Sequence, residues 1–539
     1  MARNILIDLN ILLDYYETGR RARYPESVMA FDYLKHKDFA FVAASTIENF
    51  EFLKYSYISR EYPNKSRKQK LKIVRNFVKE ILSYFKIAKT PSYVTVDSDD
   101  IGDALLIASS RAIDGLILTR DKKLLEKYPE MTIHPRDFLK RIENEQHNHI
   151  PLLDLTRETF SIYPEIEEGI DRVISRSNFI LGKEVQELEE NIAHYIGTKH
   201  AVGVSSGTDA LLLSLRALAL KRKGEEFWDK DDLIITTPFT FTATGDTILR
   251  AGATPCFVDI DPETLNIDPA QIREALAFFA SRNKKVVGIV PVHLFGLPCD
   301  MGAIMEIART YGLFVVEDVA QGFGGSFKGK RLGSIGDTGC FSFFPTKNLG
   351  CFGDGGMITT NDDTLAELVR ALRVHGGRDK YNVDHIGYKA RLDTLQAAVL
   401  LAKLRHVDRW NALRQNIARK YDEGLSGLQD LRLPPSPDAL LPSCVEHVYH
   451  QYTVRVKSGK RDALREYLKS QGVEAMVYYP VPLHKMKVFQ GRCEIFGELQ
   501  EAEKAAQEVL SLPIEPLMDE EEINRVIAVV QEGMERIGS

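Results

Sequence analysis

Cysteine is scarce in this chain. Six occur in 539 residues (Cys256, Cys299, Cys340, Cys351, Cys444 and Cys493), and no two stand as a Cys-x-x-Cys pair. That excludes a disulfide-stapled scaffold and a cysteine-built zinc site. It fits a reducing, cytoplasmic setting in which the thiols pack as small core residues. Long apolar runs are also lacking, and no stretch approaches the roughly 20 apolar residues of a membrane span. The opening "MARNILIDLNILLDYY" is apolar but carries Asp8 and Asp14 and has no small-residue cleavage site. It is expected to be a buried strand rather than a signal peptide. Internal repeats and low-complexity tracts are missing, which sets aside solenoids and disordered tails. No single sign of charge dominates: net charge is −6, with 27% charged and 44% apolar residues, an ordinary globular balance.

A chain this long exceeds one ordinary core, so two or three folding units are expected. Charge divides unevenly between them. Residues 1–140 hold 24 Lys+Arg against 19 Asp+Glu, and the basic excess gathers in "NKSRKQKLKIVR", residues 64–75. Such a run is either a solvated helix face or a surface for a phosphate backbone. Residues 1–140 alternate short apolar strands ("NILI", "DFAFVAAS", "LILT") with helical stripes, as α/β units do. Residues 141–150, "RIENEQHNHI" with Pro151 behind them, are polar and aperiodic and read as a linker. His147 and His149 on such a linker do not make a metal site.

A larger unit follows, divided as 151–395 and 396–539. In its first part "LIITTPFTF", "TPCFVDID", "KVVGIVPVH" and "GLFVVEDVA" are strands between helical stretches, which predicts a mostly parallel sheet with helices on both faces. The second part reads as a smaller α+β lobe. Within the first lies "CFSFFPTKNLG", where Lys347 is surrounded by apolar and small residues. About thirty residues upstream, "VVEDVAQ" is an apolar strand ending on Asp318. A lysine of this kind forms an imine with the aldehyde of pyridoxal phosphate. A strand-end aspartate keeps the ring nitrogen protonated so that the ring accepts electrons. Gln321 is placed to meet the ring hydroxyl. "SSGTDALLL" sets Thr208 and Asp209 at a helix start, where free N–H groups take a phosphate and Asp209 is expected to take part in the cap through its backbone N–H. Ser342 adds a hydroxyl, and Phe241 is placed to stack on the ring.

From "IPLLDLTRE" through "VSSGTDAL", "TPFTFTATGDTILRAGATPCFVDID", "VEDVAQGFGGSFKGKRLGSIGDTGCFSFFPTKNLGCFGDGGMITTND", "RLDTLQAAVL" and "YYPVPLH", residues 149–539 resemble the DegT/StrS class of sugar aminotransferases on the fold-type I scaffold. The resemblance implies Lys347 as the imine lysine, Asp318 on the pyridine nitrogen and Gln321 near the ring oxygen. It also implies Thr208, Asp209 and Ser342 on the phosphate, and Phe241 stacked. It further implies glutamate as donor, a keto group of a nucleotide-linked sugar as acceptor, and a homodimer whose subunits complete each other's sites. Many members carry asparagine where this chain has Lys389, and that asparagine reaches the neighbouring subunit's cofactor phosphate. A lysine there meets the phosphate as a point charge. Relatives that dehydrate sugars replace the imine lysine with histidine, so the intact Lys347 favours transamination over a dehydratase. For the sugar nucleotide, Arg391, His484 and the loop after His375 are the candidates.

Residues 1–140 resemble a PIN domain through "ILIDLNILLD" with Asp8, "STIENFEFL" with Glu48, "DALLIASS" with Asp103 and "LILTRDKKLL" with Asp121. In such a domain four acids gather at strand ends. Crowded carboxylates call for a magnesium or manganese ion that activates water against a phosphodiester. The resemblance implies either a ribonuclease or a scaffold that only binds RNA or protein.

Overall fold

In the computed structural model the described residues are 149–377, 381–436 and 445–538. Of the first 148 they are 4–16, 25–34, 40–43, 85–88, 106, 109–110, 115–127 and 131–135, with single positions at 46, 69, 72–73, 76, 78–79 and 81. The chain forms two compact units, Met1–Asn148 and His149–Ser539.

The first unit is built on a parallel sheet of β1 (Asn4–Ile7), β2 (Ala40–Ala43), β3 (Lys86–Ala88), β4 (Gly115–Leu118) and β5 (Thr132–Ile133), in the order β3-β2-β1-β4-β5. Strand β1 is central, and its Ile5, Leu6 and Ile7 are all buried, as expected of a strand covered on both faces. Ile5 and Ile7 pack on one side and Leu6 on the other. The basic segment is helical where described. Just beyond it Val78 and Ile81 are buried while Lys79 faces solvent, as Lys72 does within it, so an apolar stripe stands opposite a charged face at those positions.

The second unit carries β6 (His200–Val204), β7 (Asp232–Thr236), β8 (Thr254–Phe257), β9 (Lys285–Val290), β10 (Phe314–Asp318), β11 (Ser326–Phe327), β12 (Lys330–Arg331), β13 (Thr338–Ser342) and β14 (Gly356–Thr360). Later in the chain come β15 (Leu431–Arg432), β16 (Val445–Glu446), β17 (Tyr452–Val456), β18 (Glu494–Ile495) and β19 (Val509–Leu512). The main sheet has the order β18-β8-β7-β9-β10-β13-β14-β6. All its neighbours run parallel except those of β14, which pairs antiparallel with both β13 and β6. Strand alternation sends Ile235, Val315, Phe341 and Met357 into one core and Ile234, Val316, Cys340 and Ile358 into the other. The second core is closed by the helix Gly207–Lys223, whose residues 210–219 are all buried. The first is closed by helices Lys183–Ile196, Pro269–Ser281 and Met301–Tyr311. The result is the three-layer arrangement expected of alternating strands and helices.

Three features depart from the sequence reading. The unit begins at His149, because Ile150 is buried and bridges Val473, so residues 149–150 belong to the fold rather than to the linker. The boundary at 395/396 cuts the helix Thr394–Leu404, which lies under the large sheet; the long amphipathic stretch breaks there and resumes as Val407–Leu425. And β18, from the C-terminal part, completes the edge of the large sheet by pairing with β8. The smaller lobe itself is the antiparallel sheet β15-β17-β19, packed on helices Val407–Leu425, Arg461–Ser470 and Glu520–Gly538. No helix among the described residues is long and apolar enough to cross a membrane.

A buried ion pair holds the start of this unit. Lys403 Nζ donates to Glu158 Oε1 at 2.7 Å, with both side chains under 5% exposed. Replacing Lys403 by Ala strands the Glu158 carboxylate, and the expected loss is about 3–5 kcal/mol in urea unfolding. The double change Glu158→Leu with Lys403→Met should recover most of it, because an apolar pair leaves no buried charge. A single variant as stable as wild type would show that Glu158 finds another partner.

Candidate active site

The carboxyl ends of β6, β7, β9, β10 and β13 open onto one edge of the sheet, where ligands bind in open α/β folds. Strand β6 runs straight into the turn Ser205-Ser206 and the helix Gly207–Lys223. The cap of that helix is Ser206, whose Oγ accepts from Asp209 N at 3.0 Å. Asp209 thus takes part in the cap through its backbone N–H, as expected, and its carboxylate in addition takes the hydroxyls of Ser205 and Ser206. A Cβ at Gly207 would stand 2.7 Å from Ser342 Cβ, so glycine alone lets the helix start touch the end of β13. The N–H groups of the helix start, with the hydroxyls of Thr208 and Ser342, thus form one cradle at a positive helix end.

Asp318 ends β10, 5% exposed. Its Oδ2 accepts from Thr244 Oγ1 at 2.9 Å and its Oδ1 from Ala320 N at 3.2 Å. Burial pushes its carboxyl above the ordinary range, opposed by the Thr244 and Ala320 hydrogen bonds and by the charge of Lys347. The preceding residue, Glu317, points to the opposite face, where its oxygens accept from the N–H groups of Gly333, Ile335 and Gly336 and meet His293 Nε2 at 3.2 Å. Lys347 is part-buried. Burial pulls its amine down to about 8, against the Asp318 charge, which raises it. A lysine with so low a value is in part a free amine near neutrality, the form that attacks a carbonyl. Phe241 is 57% exposed at the start of the helix Thr242–Arg250, its ring 6.3 Å from that of Tyr479. Gln321 is buried with its amide already engaged: Oε1 accepts from Phe295 N at 2.6 Å and Nε2 donates to Tyr479 OH at 2.9 Å. One N–H of Gln321 remains for a ligand.

The other candidates lie around this edge. Lys389 is exposed and its backbone bridges Val374. Ala390 O accepts from Ser205 N at 3.1 Å, and Arg391 bridges Val204, so residues 389–391 run beside the Ser205–Ser206 turn of the same chain. His484 is held by Glu503 at 3.0 Å through Nε2, and its buried Nδ1 has no partner among the described residues. Sequence reasoning missed Thr244, Tyr479 and Phe295. Thr244 had a signal, since it stands one helical turn after Phe241 in "TFTAT"; the other two meet the site only through tertiary contact. In the first unit Asp8 and Asp121 follow neighbouring strands β1 and β4, and Thr119 links them. Thr119 donates to Asp8 Oδ2 at 2.6 Å and accepts from Asp121 N at 2.9 Å. Glu48 and Asp103 lie outside the described residues. Among the described residues no group of three or more metal-binding side chains gathers.

A phosphate cradle, a buried carboxylate, an open aromatic face and a lysine of lowered basicity together fit pyridoxal phosphate, and they define the class as a cofactor-dependent aminotransferase of fold type I. Residues 161–531 match the DegT/DnrJ/EryC1/StrS aminotransferase family, and the chain belongs to it. It is 46% identical over 386 residues to a "pleiotropic regulatory protein" of Geobacillus stearothermophilus, covering 71% of this chain and 98% of that one. It is 41% identical to a UDP-N-acetyl-3-dehydro-alpha-D-glucosamine 3-aminotransferase of Acidithiobacillus ferrooxidans, covering 72% and 98%. Among solved structures, the NtdA protein of Bacillus subtilis with bound cofactor PMP superposes with a TM-score of 0.64 at 30% identity, over 72% of this chain and 86% of that one.

Lys347 should show its lowered basicity directly. In the apo protein, the rate at which its amine bonds added pyridoxal phosphate should rise with pH through about 8 and level off above. Asp318→Asn removes the charge that holds the proton on, so the midpoint should move down. Lys347→Ala should show no bond formation at any pH. Stopped-flow absorbance checks all three, and an Asp318→Asn midpoint above that of wild type would overturn the pairing.

Proposed function

We propose that this protein moves an amino group, with glutamate as donor, onto a keto group of a nucleotide-linked sugar. The observation that carries the reading is Lys347, part-buried and of lowered basicity, within electrostatic reach of the buried Asp318. Pyridoxal phosphate, when bound, supplies the carbon that ferries the amine and a ring that takes up the electrons of the broken C–H bond. The chain's residues do the rest. The N–H groups of the helix start, Thr208 and Ser342 hold the phosphate, with Asp209 fixing the Ser205 and Ser206 hydroxyls behind them. Asp318 keeps the ring nitrogen protonated, Phe241 covers a ring face, and the remaining N–H of Gln321 meets the ring oxygen. Lys347 Nζ, once released, takes the proton from the donor's Cα and returns it on the far side of the exchange. A nucleotide sugar as acceptor is supported by the name of the Acidithiobacillus relative. Arg391, beside the cradle, and His484, with a buried Nδ1 lacking a donor, are the residues for its diphosphate and hydroxyls.

Apolar side chains at this edge support a homodimer. Phe179 and Ile180 are 44% and 46% exposed, and Phe352 is 45% exposed. The three gather around the start of the helix Thr394–Leu404 through Thr394 N to Phe179 O, the Ile180–Asp393 bridge and Phe352 N to Gln396 Oε1. A second copy is the ordinary cover for such a patch, and Lys389 is the residue for the partner's cofactor phosphate. Purified protein should convert keto-sugar nucleotides to amino sugars with glutamate as donor, read by product mass, and should scatter light as a dimer. No turnover over a broad set of uridine and thymidine keto-sugars, or full activity as a monomer, would overturn the corresponding part.

For the first unit a second reading is favoured by one observation. At the carboxyl end of a parallel sheet with β1 at its centre, Thr119 donates to Asp8 Oδ2 and accepts from the backbone N–H of Asp121, whose Oδ1 caps the helix Lys122–Lys127. We infer a PIN-like domain that cleaves RNA with magnesium or manganese held by Asp8, Glu48, Asp103 and Asp121, rather than a scaffold. In the full-length protein Asp8→Asn should abolish manganese-dependent cleavage of a single-stranded RNA while leaving transamination intact. Cleavage equal to wild type would refute the metal site, and a protein inert in both forms would leave the scaffold role.

A further inference from the structure

The residue after the site lysine, Asn348, is 4% exposed and sits in a network whose polarity follows from one backbone carbonyl. Phe323 O accepts from Asn411 Nδ2 at 3.1 Å, which fixes Asn411 Oδ1 as an acceptor. That oxygen takes one N–H of Asn348 Nδ2 at 2.8 Å, and Val448 O takes the other at 3.1 Å. Asn348 Oδ1 is therefore an acceptor. Its partner at 3.0 Å, His450 Nδ1, carries the hydrogen, and Nε2 is left as a lone pair. Burial, and then the positive charges of Lys347 and Arg414, hold the imidazole neutral well below its ordinary range, in agreement with this tautomer.

Three parts of the chain meet in the network. Phe323 and Asn348 come from loops at the carboxyl edge of the main sheet, Asn411 from the helix Val407–Leu425, and Val448 and His450 from the segment after β16. That segment also reaches the other side of the cleft. Val448 N donates to Gly296 O at 3.1 Å and Gln451 N to Phe295 O at 3.3 Å, and Phe295 N is the group that holds Gln321. Gly296, at φ +92°, leaves no room for a side chain: a Cβ would lie 2.8 Å from Val448 Cγ2 and 3.0 Å from His450 N.

We propose that His450 is a positioning residue for Lys347: its Nδ1–H, given to Asn348 Oδ1, completes the network that fixes the Lys347–Asn348 segment and so the direction from which the lysine amine enters the cleft. The inference rests on Lys347 being the residue that bonds the cofactor. A buried polar network of this kind acts as a unit, so losing one donor leaves the others misdirected.

The test uses the full-length protein stripped of cofactor and reloaded with pyridoxal phosphate. His450→Leu should slow bond formation by Lys347 about tenfold, the scale of one lost buried hydrogen bond. His450→Asn, whose side-chain N–H takes the place of Nδ1–H, should stay within about threefold of wild type. The absorbance spectrum of the loaded protein should shift with pH differently in His450→Leu and unchanged in His450→Asn. If His450→Leu does not fold, Asn348→Ser carries the same expectation. Reloading and spectra equal to wild type in the Leu or Ser variant would overturn the proposal, as would an Asn variant no better than Leu, since the ring's volume would then be what matters. A wild-type protein that forms no bond through Lys347 would remove the functional reading and this inference with it.

Discussion

The site depends on keeping a lysine and an aspartate of opposite charge in one poorly solvated cleft. Burial acts on the two in opposite directions, pulling the Lys347 amine down and pushing the Asp318 carboxyl up, while each partly restores the other's charge. Neither would keep its value without the surrounding fold. Asp318 is held by Thr244 and Ala320 N, and its neighbour Glu317 is hydrogen-bonded by three N–H groups and His293 on the other face of β10.

Much of this was legible in the sequence because the chemistry-bearing residues sit at element ends. Asp318 closes an apolar strand, Ser206 opens a helix and Lys347 stands out from an apolar run, and each position follows from local pattern. The backbone N–H of Asp209 meets the Ser206 hydroxyl in the cap, a contact between neighbours in sequence that local pattern carries. What the sequence did not carry is contact across the fold. Tyr479 reaches Gln321 from 158 residues away, and His450 reaches Asn348 from 102 away. The misplaced boundary at 395/396 has the same cause: periodicity marks where a helix is, not which sheet it covers, so a helix of the large layer was divided between lobes.

These long-range contacts share a direction. Gln321, Phe295 and Asn348 stand on the large-sheet side, and Tyr479, Gln451, Val448 and His450 on the C-terminal side. Each pairs a group beside the lysine or the carboxylate with the smaller lobe. The cleft is therefore defined jointly by both lobes, and a shift of the smaller lobe changes the hydrogen bonds of Gln321 and Asn348 before it changes anything on Asp318.

The strap at residues 385–391 obeys the same logic on the phosphate side. Arg216, fully buried in the helix that starts at the cradle, donates to Tyr388 OH and to Ile386 O, is paired with Glu226 at 2.8 Å, and stacks over Phe227 at 3.7 Å. Glu226 in turn holds His385 at 3.0 Å. A buried arginine is tolerated only when its forked donors are filled in this way. The strap that carries Lys389 and Arg391 past Ser205 is thus anchored to the helix whose N-terminus forms the cradle. Lys389 itself is exposed at the end of this anchored strap. Asparagine offers a directed hydrogen bond and needs exact placement, whereas a lysine offers a charge on a flexible stem. A lysine on a strap anchored through Arg216 carries its charge on a flexible stem from a fixed backbone, without needing one contact geometry.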